Sequence, residues 1–387
     1  MNSDFAYFDN AATTFPKPEE VYFFADGFYR NNGVSIGRSS SDLSVAAENV
    51  ENDAKDNLRQ MYTCPTHKVV FTSSATEALN RIILGLGLTG GAEVYITPFE
   101  HNAVTRPLSY LAKNGSVNLN ELEFDSQSLL PDYDKIASQF SRQAPKLLVL
   151  NHASNVCGVV VPVAEISKMA NEYGATVVVD MSQTAGLVPL DLSDGSIDFA
   201  VFAGHKTLYS PDGIGGFICK RNSKLNPILF GGNGINSIEQ DMPEEIVAMS
   251  EIGSRNVYAI AGLYSSTKWI LSRGMNCLKA QEDRNRQRLL DILGDYREIK
   301  LIGLSPQADY VGVVSAVFRG YSPDECEMLL NKAHVATRSG LHCSPYAHSF
   351  LNTLPAGTVR FSVSALTTDG DFRILETALR TLSREMW

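Results

Sequence analysis

The sequence predicts an α/β protein, with a large domain built on a mostly parallel sheet flanked by helices and a smaller α+β domain at the C-terminal end. Three observations lead there. Between residues 60 and 220, short runs rich in β-branched residues alternate with helical patterns. Several runs are apolar almost throughout, as strands buried on both faces must be. Beyond residue 257 the alternation gives way to long helices followed by isolated strands.

In chain order, the expected strands of the large domain are KVVFTS, EVYIT, KLLVLNH, ATVVVDMS, DFAVFAG and GGFICK, and Ser74 to Leu86 and Val163 to Tyr173 read as helices between them. Next come two long helices, AIAGLYSSTKWILSRG and CLKAQEDRNRQRLLDILG, then strand VGVVSAVF and a helix from Pro323 to Ala333. That last helix opens on Ser322, Pro323 and Glu325, a capping box with proline in the first turn. Strand TVRFSVS and an amphipathic helix from Asp371 to Arg384 complete the chain. The expected division is an N-terminal segment 1–18 able to pack on either unit, a large domain 19–256 and a small domain 257–387.

Composition narrows the ligand class. The 387 residues carry 43 Asp and Glu against 33 Lys and Arg, a formal net charge of -10. An acidic surface repels phosphate backbones and anionic lipid, so neither nucleic acid nor membrane is an expected partner, and small molecules are. Cys64, Cys157, Cys219, Cys277, Cys326 and Cys343 form no CxxC pair and no zinc-ligand spacing. Reduced thiols and no bound metal are expected. The N-terminus MNSDFAYFDNAATTF has neither the basic start nor the apolar core of a signal peptide. No stretch approaches the ~20 apolar residues of a membrane span. The expected location is the cytoplasm.

The chemistry collects at strand ends. In AVFAGHKTLYSPDG a buried strand ends at His205 and Lys206. Most lysines are exposed, so Lys206 alone also reads as a surface residue opening a loop. On the preceding strand VVVDMSQ places Asp180 at the carboxyl end, the side that faces the ligand crevice in open α/β sheets. A lysine amine condenses with an aldehyde, and a carboxylate keeps a pyridine nitrogen protonated; the pair is what pyridoxal phosphate requires. FTSSATEALN adds a helix start at Ala75 and Thr76, where backbone amides and the helix dipole favour a phosphate. His101, in EHNAV, offers a ring to stack on a flat cofactor and pass protons, and Asn155, in NHASNVCG, an amide for its phenolic oxygen. Each has a plainer reading alone. Asp180 could cap a helix, Ser74 and Glu77 form a simple capping box, and His101 could be a loop histidine. Their combination at successive strand ends favours the cofactor site.

These residues resemble class V, fold type I pyridoxal-phosphate enzymes, and within them the cysteine desulfurases and selenocysteine lyases. The resemblance runs in matching order through YFDNAATTFPKP, SATEALN, EHNA, ASNVCG, VVVDMSQ, FAGHK, RSGLHC and VRFSVS. It implies a seven-stranded sheet in the large domain. It also makes Lys206 the Schiff-base lysine, Asp180 the partner of the pyridine nitrogen and His101 the stacking residue. Asn155 and Gln183 would bond the cofactor's 3'-oxygen, and Thr76 and His205 its phosphate, with Ala75 at the same helix start. Ser254, in EIGSRN, would reach the phosphate of a neighbouring subunit, and the GGNGINS loop would join it, which implies a homodimer. Arg360 would clamp the substrate carboxylate, with Asn155 beside it. Cys343 would take the sulfur. Departures are Ala75 and Ala203, where hydroxyl residues are common in the family, a loop after Lys206 longer by one residue, and Leu341 in place of the first of two histidines.

The implied activity is conversion of L-cysteine to L-alanine with a persulfide on Cys343, passed to a protein sulfur acceptor. Lys206 would remove the α-proton, with Lys206 and His101 carrying protons. Gly340, His342, Ser344 and Pro345 suggest a mobile loop around Cys343, with His342 drawing off the thiol proton. A cysteine is more often a small buried hydrophobe, which keeps a second reading open. In it the chain is a selenocysteine lyase, β-lyase, aminotransferase or epimerase with Cys343 a bystander. A nucleotide-binding module is disfavoured, because no GxGxxG follows the first strand and no GxxxxGK[ST] is present.

Overall fold

The computed structural model describes residues 5–37, 39–232, 234 and 238–386. The elements run β1 (Ala6–Tyr7), α1 (Glu19–Asn32), α2 (Asp42–Met61), β2 (Lys68–Thr72), α3 (Ala75–Gly85), β3 (Ala92–Ile96), α4 (Asn102–Lys113), β4 (Val117–Glu121), α5 (Tyr133–Arg142), β5 (Leu147–Asn151), α6 (Val163–Asn171), β6 (Thr176–Asp180), β7 (Phe199–Ala203) and β8 (Gly215–Cys219). They continue with α7 (Ile246–Ser250), α8 (Val257–Arg273), α9 (Met275–Gly294), β9 (Ile299–Ile302), β10 (Val313–Phe318), α10 (Pro323–Lys332), β11 (Val335–Ala336), β12 (Arg338–Gly340), α11 (Pro345–Phe350), β13 (Thr358–Ser362) and α12 (Asp369–Met386).

Among the described residues, the large sheet has seven strands in the order β2-β8-β7-β6-β5-β3-β4. Its paired strands are parallel except where β8 meets β2 and β7. β5, β7 and β8 are buried at every position because both faces of the sheet are covered. The two-residue period of the strand then sorts the side chains. Leu148, Leu150, Val177, Val179 and Phe202 enter one core, whereas Leu147, Val149, Val178, Val201 and Phe217 enter the other. The strands expected from apolar runs are all present. β4 was not expected, because VNLNE carries polar residues at the sheet edge, where Asn118 and Asn120 donate to Glu93.

A second sheet, β12-β13-β10-β9, builds its own core from Val314, Ala316, Val359 and Phe361 against Leu289 and Leu293 of α9 and Leu375 and Leu379 of α12. The capping box at Ser322 and Glu325 forms with both reciprocal bonds. α8 packs on α1 and α2, and its Trp269 and Ile270 join the core of the large sheet. The N-terminal segment touches both units. β1 pairs with β11, Ser362 N donates to Phe8 O at 2.6 Å, and Thr14 N donates to His205 O at 3.1 Å. Among the described residues, no helix is long and apolar enough to cross a membrane.

β8 passes very close to the start of α3. A Cβ on Gly215 would stand 2.6 Å from Ala75 N and 2.9 Å from Phe202 O, both backbone atoms that cannot give way alone. Gly215→Ala is therefore expected to cost about 2–3 kcal/mol through overpacking. A lowered urea midpoint checks this; an unchanged midpoint would mean that the β8–α3 contact carries no constraint.

Candidate active site

The carboxyl ends of the parallel strands open into a cavity of about 240 Å³. Ala75, Thr76, His101, Asn155, Asp180, Gln183, Ala203, His205, Lys206 and Arg360 all line it, so sites far apart in sequence converge. Ser254 does not. It is exposed and lines a second cavity with Ser73, Glu77, Arg81 and Arg255. Of the GGNGINS loop, residues 233 and 235–237 lie outside the described residues.

Lys206 follows β7 and is half-buried, and loss of water around its amine pushes it down to about 8 while Asp180 pulls it back up. The pairing register places Asp180 beside Val201, so adjacent parallel strands deliver the two groups to one place. Asp180 Oδ1 accepts from Ser182 N at 2.9 Å and Ser182 Oγ at 2.5 Å. Its other oxygen takes no hydrogen bond from a described residue. His101 caps α4: its Nδ1 accepts from Ala103 N at 3.0 Å, which leaves the proton on Nε2. Burial, then Lys206, hold this imidazole down at about 4, so it is neutral near pH 7. His205 is likewise held to about 4 by burial and by Lys206, with Asp212 at 3.4 Å from its Nδ1.

At the start of α3, Ser74 Oγ accepts from Glu77 N at 3.2 Å, while the amides of Ala75 and Thr76 have no partner among the described residues. A helix start with two unpaired amides beside a half-buried lysine is an anion site. Gln183 Nε2 donates to Ala11 O at 2.9 Å and Asn155 Nδ2 to His342 O at 2.7 Å, so each amide keeps a second N–H. Arg360 is almost wholly buried. Its Nη1 donates to Asn155 O at 3.1 Å, Nη2 to Asp9 Oδ1 at 2.6 Å, and Nε has no partner among the described residues.

Cys343 stands beside the lining residues, half-buried, with Arg338 Nη2 donating to its Sγ at 3.8 Å. The expected mobile loop is an anchored turn. Cys343 O accepts from Asn102 N at 2.7 Å, and Ser344 Oγ donates to Asn155 Oδ1 at 2.6 Å. His342 and Cys343 adopt left-handed backbone at φ 48° and 59°, which non-glycine residues hold only when their surroundings enforce it. His342 is the residue expected to draw off the thiol proton. Its ring is buried with Nε2 3.0 Å from Thr358 Oγ1, and burial, then Arg360, keep it far below the ordinary histidine range. Arg338, which the RSGLHC motif displays without assigning a role, is the charged group that the structure sets against the sulfur. Asp9, in YFDNAATT, is the other contributor missed.

The chain belongs to the Aminotransferase class-V family, whose model matches residues 6–375. A "Probable cysteine desulfurase" of Aeropyrum pernix is 30% identical over 361 residues, covering 89% of this chain and 87% of the relative. The cysteine desulfurase of Synechococcus elongatus is 29% identical over 388 residues, 97% of this chain, but the chain spans only 60% of that longer protein. Among solved structures, a cysteine desulfurase from Thermococcus onnurineus superimposes with a TM-score of 0.88 at 26% identity, covering 99% of this chain and 95% of that one. Cysteine desulfurase CsdA of Escherichia coli has a TM-score of 0.86 at 24% identity, over 100% and 96% of the two chains, and speaks for the fold.

The depressed amine has a pH signature. Lys206 titrates near 10.5 when unfolded and at about 8 when folded, so between these values the unfolded chain binds more protons and stability rises with pH. Below the window the penalty is fully present, about 3 kcal/mol from the shift. In the ligand-free protein, stability measured by urea unfolding should rise from about pH 8 to about pH 10 more than in Lys206→Met. Parallel profiles would show that the amine titrates normally.

Proposed function

We propose that the chain is a pyridoxal-phosphate-dependent cysteine desulfurase, a cytoplasmic homodimer that converts L-cysteine to L-alanine and passes sulfur to a protein acceptor. The observation that carries it is one cavity holding a half-buried lysine with a depressed amine, an acid on the adjacent strand, helix-start amides and a buried arginine, with a tethered cysteine beside it. The residues fit the cofactor. Lys206 is the amine for its aldehyde, and the unpartnered oxygen of Asp180 would hold the ring nitrogen. The amides of Ala75 and Thr76, with His205, would hold the phosphate. Asn155 and Gln183 would take the ring oxygen with their remaining N–H groups. His101 would cover the ring face.

Pyridoxal phosphate, when bound, supplies an aldehyde that condenses with amines and a ring that accepts carbanion charge. Around it, Arg360 and Arg338 attract the substrate carboxylate. Lys206, with its depressed amine, takes the α-proton near neutral pH. Cys343 Sγ gives up its proton and attacks the substrate sulfur, so the carbon–sulfur bond breaks with its electron pair left on carbon and a sulfur–sulfur bond forms; the α-proton held by Lys206 and the proton lost by the thiol then return to the two carbons to give alanine. Because the turn carrying Cys343 is anchored, an acceptor must bring its own thiol to the cavity mouth.

Two measurements test this reading. Cys343→Ala should keep cofactor colour yet lose ~2 to 4 orders of magnitude in alanine formation from cysteine, as removal of an essential nucleophile does. Near-normal alanine formation would point to a lyase-type elimination instead. The homodimer is supported by the exposed apolar Leu229 and Phe230, just before Gly232, whose O accepts from Gly253 N next to Ser254, and by the position of Ser254 outside the Lys206 cavity, which suits a role in a second copy. Sedimentation should find a dimer; a fully active monomer would contradict it.

A further inference from the structure

Arg360 is among the most deeply buried large side chains, and a buried cation needs a counter-charge. Asp9 supplies it: Nη2 donates to Oδ1 at 2.6 Å, and Asp9 is the leading influence that raises the guanidinium against the loss of water. Asp9 is held there by the N-terminal segment. Asp9 bridges Ser362 on β13, two residues from Arg360, and Asn10 Nδ2 donates to Ser362 O at 2.9 Å. Nη2 belongs to both paired-donor edges of a guanidinium, the side-on edge with Nε and the end-on edge with Nη1. One of its two hydrogens is already committed to Asp9, while Nε is buried without a partner among the described residues.

From this geometry we infer that Asp9 sets the affinity of the site for amino-acid carboxylates, by sharing Arg360 with the substrate and weakening its hold. The inference rests on Arg360 being the carboxylate-binding residue proposed above. Without Asp9, the cavity would present Lys206, Arg338 and Arg360 against Asp180 alone, an excess of positive charge beside any carboxylate. Substrate cysteine and product alanine share that carboxylate, so a stronger clamp would tighten both equally. Uniform tightening slows product departure without helping the chemical step. Asp9 is a positioning residue, acting through Arg360.

Isothermal titration of the cofactor-loaded protein with L-alanine reads carboxylate binding without turnover. Asp9→Asn keeps the size of the side chain and an oxygen for Nη2 while removing the charge. The Kd for alanine should fall about three- to tenfold, the scale of one partly screened charge at close range. A distorted site weakens binding, so a lower Kd isolates the charge. An unchanged or higher Kd in Asp9→Asn overturns the inference; if that variant does not fold, Asp9→Ser carries the same two outcomes. Sulfide release from cysteine is assayed separately. Its absence in the wild type would sink the desulfurase reading while a lowered alanine Kd still upheld the role of Asp9.

Discussion

A lysine amine enclosed at the end of a buried parallel strand is the constraint on which the rest of the molecule depends. Removing an ammonium group from water is unfavourable unless charge or chemistry compensates. Here the compensation is local. Asp180 ends the adjacent strand, and β6 and β7 must pair in parallel for the two groups to share one end of the sheet. The same requirement explains why β6 from Val177 to Val179 and all of β7 are apolar: they are buried under helices on either face, and the polar groups of the site come at Asp180 and just past the end of β7. Function at the strand ends and stability in the strand bodies are thus separated along each strand.

The site is completed from outside that sheet. Arg360 lies on β13 and Arg338 on β12, so the two arginines of the cavity belong to the smaller sheet, whereas Asp180 and Lys206 come from the larger one. Asn155 joins them. Its amide holds His342 O and Ser344 Oγ, and its backbone carbonyl holds Arg360. On the other side of β12, Ser339 bonds Asp324 and Glu327 of α10, so the strand that leads to Cys343 is held at both flanks. A cysteine carried on consecutive left-handed residues needs such enforcement. Position, rather than reach, is what this turn provides.

What could be read from sequence follows the same division. Strands buried on both faces appear as uninterrupted apolar runs, and the groups at their ends stand out because they break those runs: Asp180, His205 and Lys206 were legible for that reason. The helices α1 and α2 were not expected, and α2 shows why. Its buried face includes Glu51 and Lys55; Lys55 contacts Glu51 and Glu251 at 2.8 Å, with Arg255 as the second cation for the two acids, so no clean apolar stripe marks the helix. Arg338 and Asp9 were also unassigned: the turn after β12 brings Arg338 back to Cys343, and Asp9 meets Arg360 from the other end of the chain. The mobile loop expected around Cys343 came from Gly340 and Pro345; in the structure, hydrogen bonds to Asn102 and Asn155, distant in sequence, tether that turn.

The departures at Ala75 and Ala203 gain a physical sense from the backbone around them. Where hydroxyl side chains are lacking, an anion must be held by groups that are already fixed. The start of α3 provides two unpaired amides and the positive end of a helix dipole, and neither loses side-chain freedom when a ligand arrives. Such donors work only if they do not move. Gly215 lets β8 press against Ser74 and Ala75, and Ser74 Oγ caps Glu77, so the amides are aimed by the sheet and the cap together. Preorganised dipoles of this kind stabilise charge without reorganising, which is why a bare backbone cradle can replace two hydroxyls. A bulkier residue at Gly215 would disturb the cradle without touching any ligand.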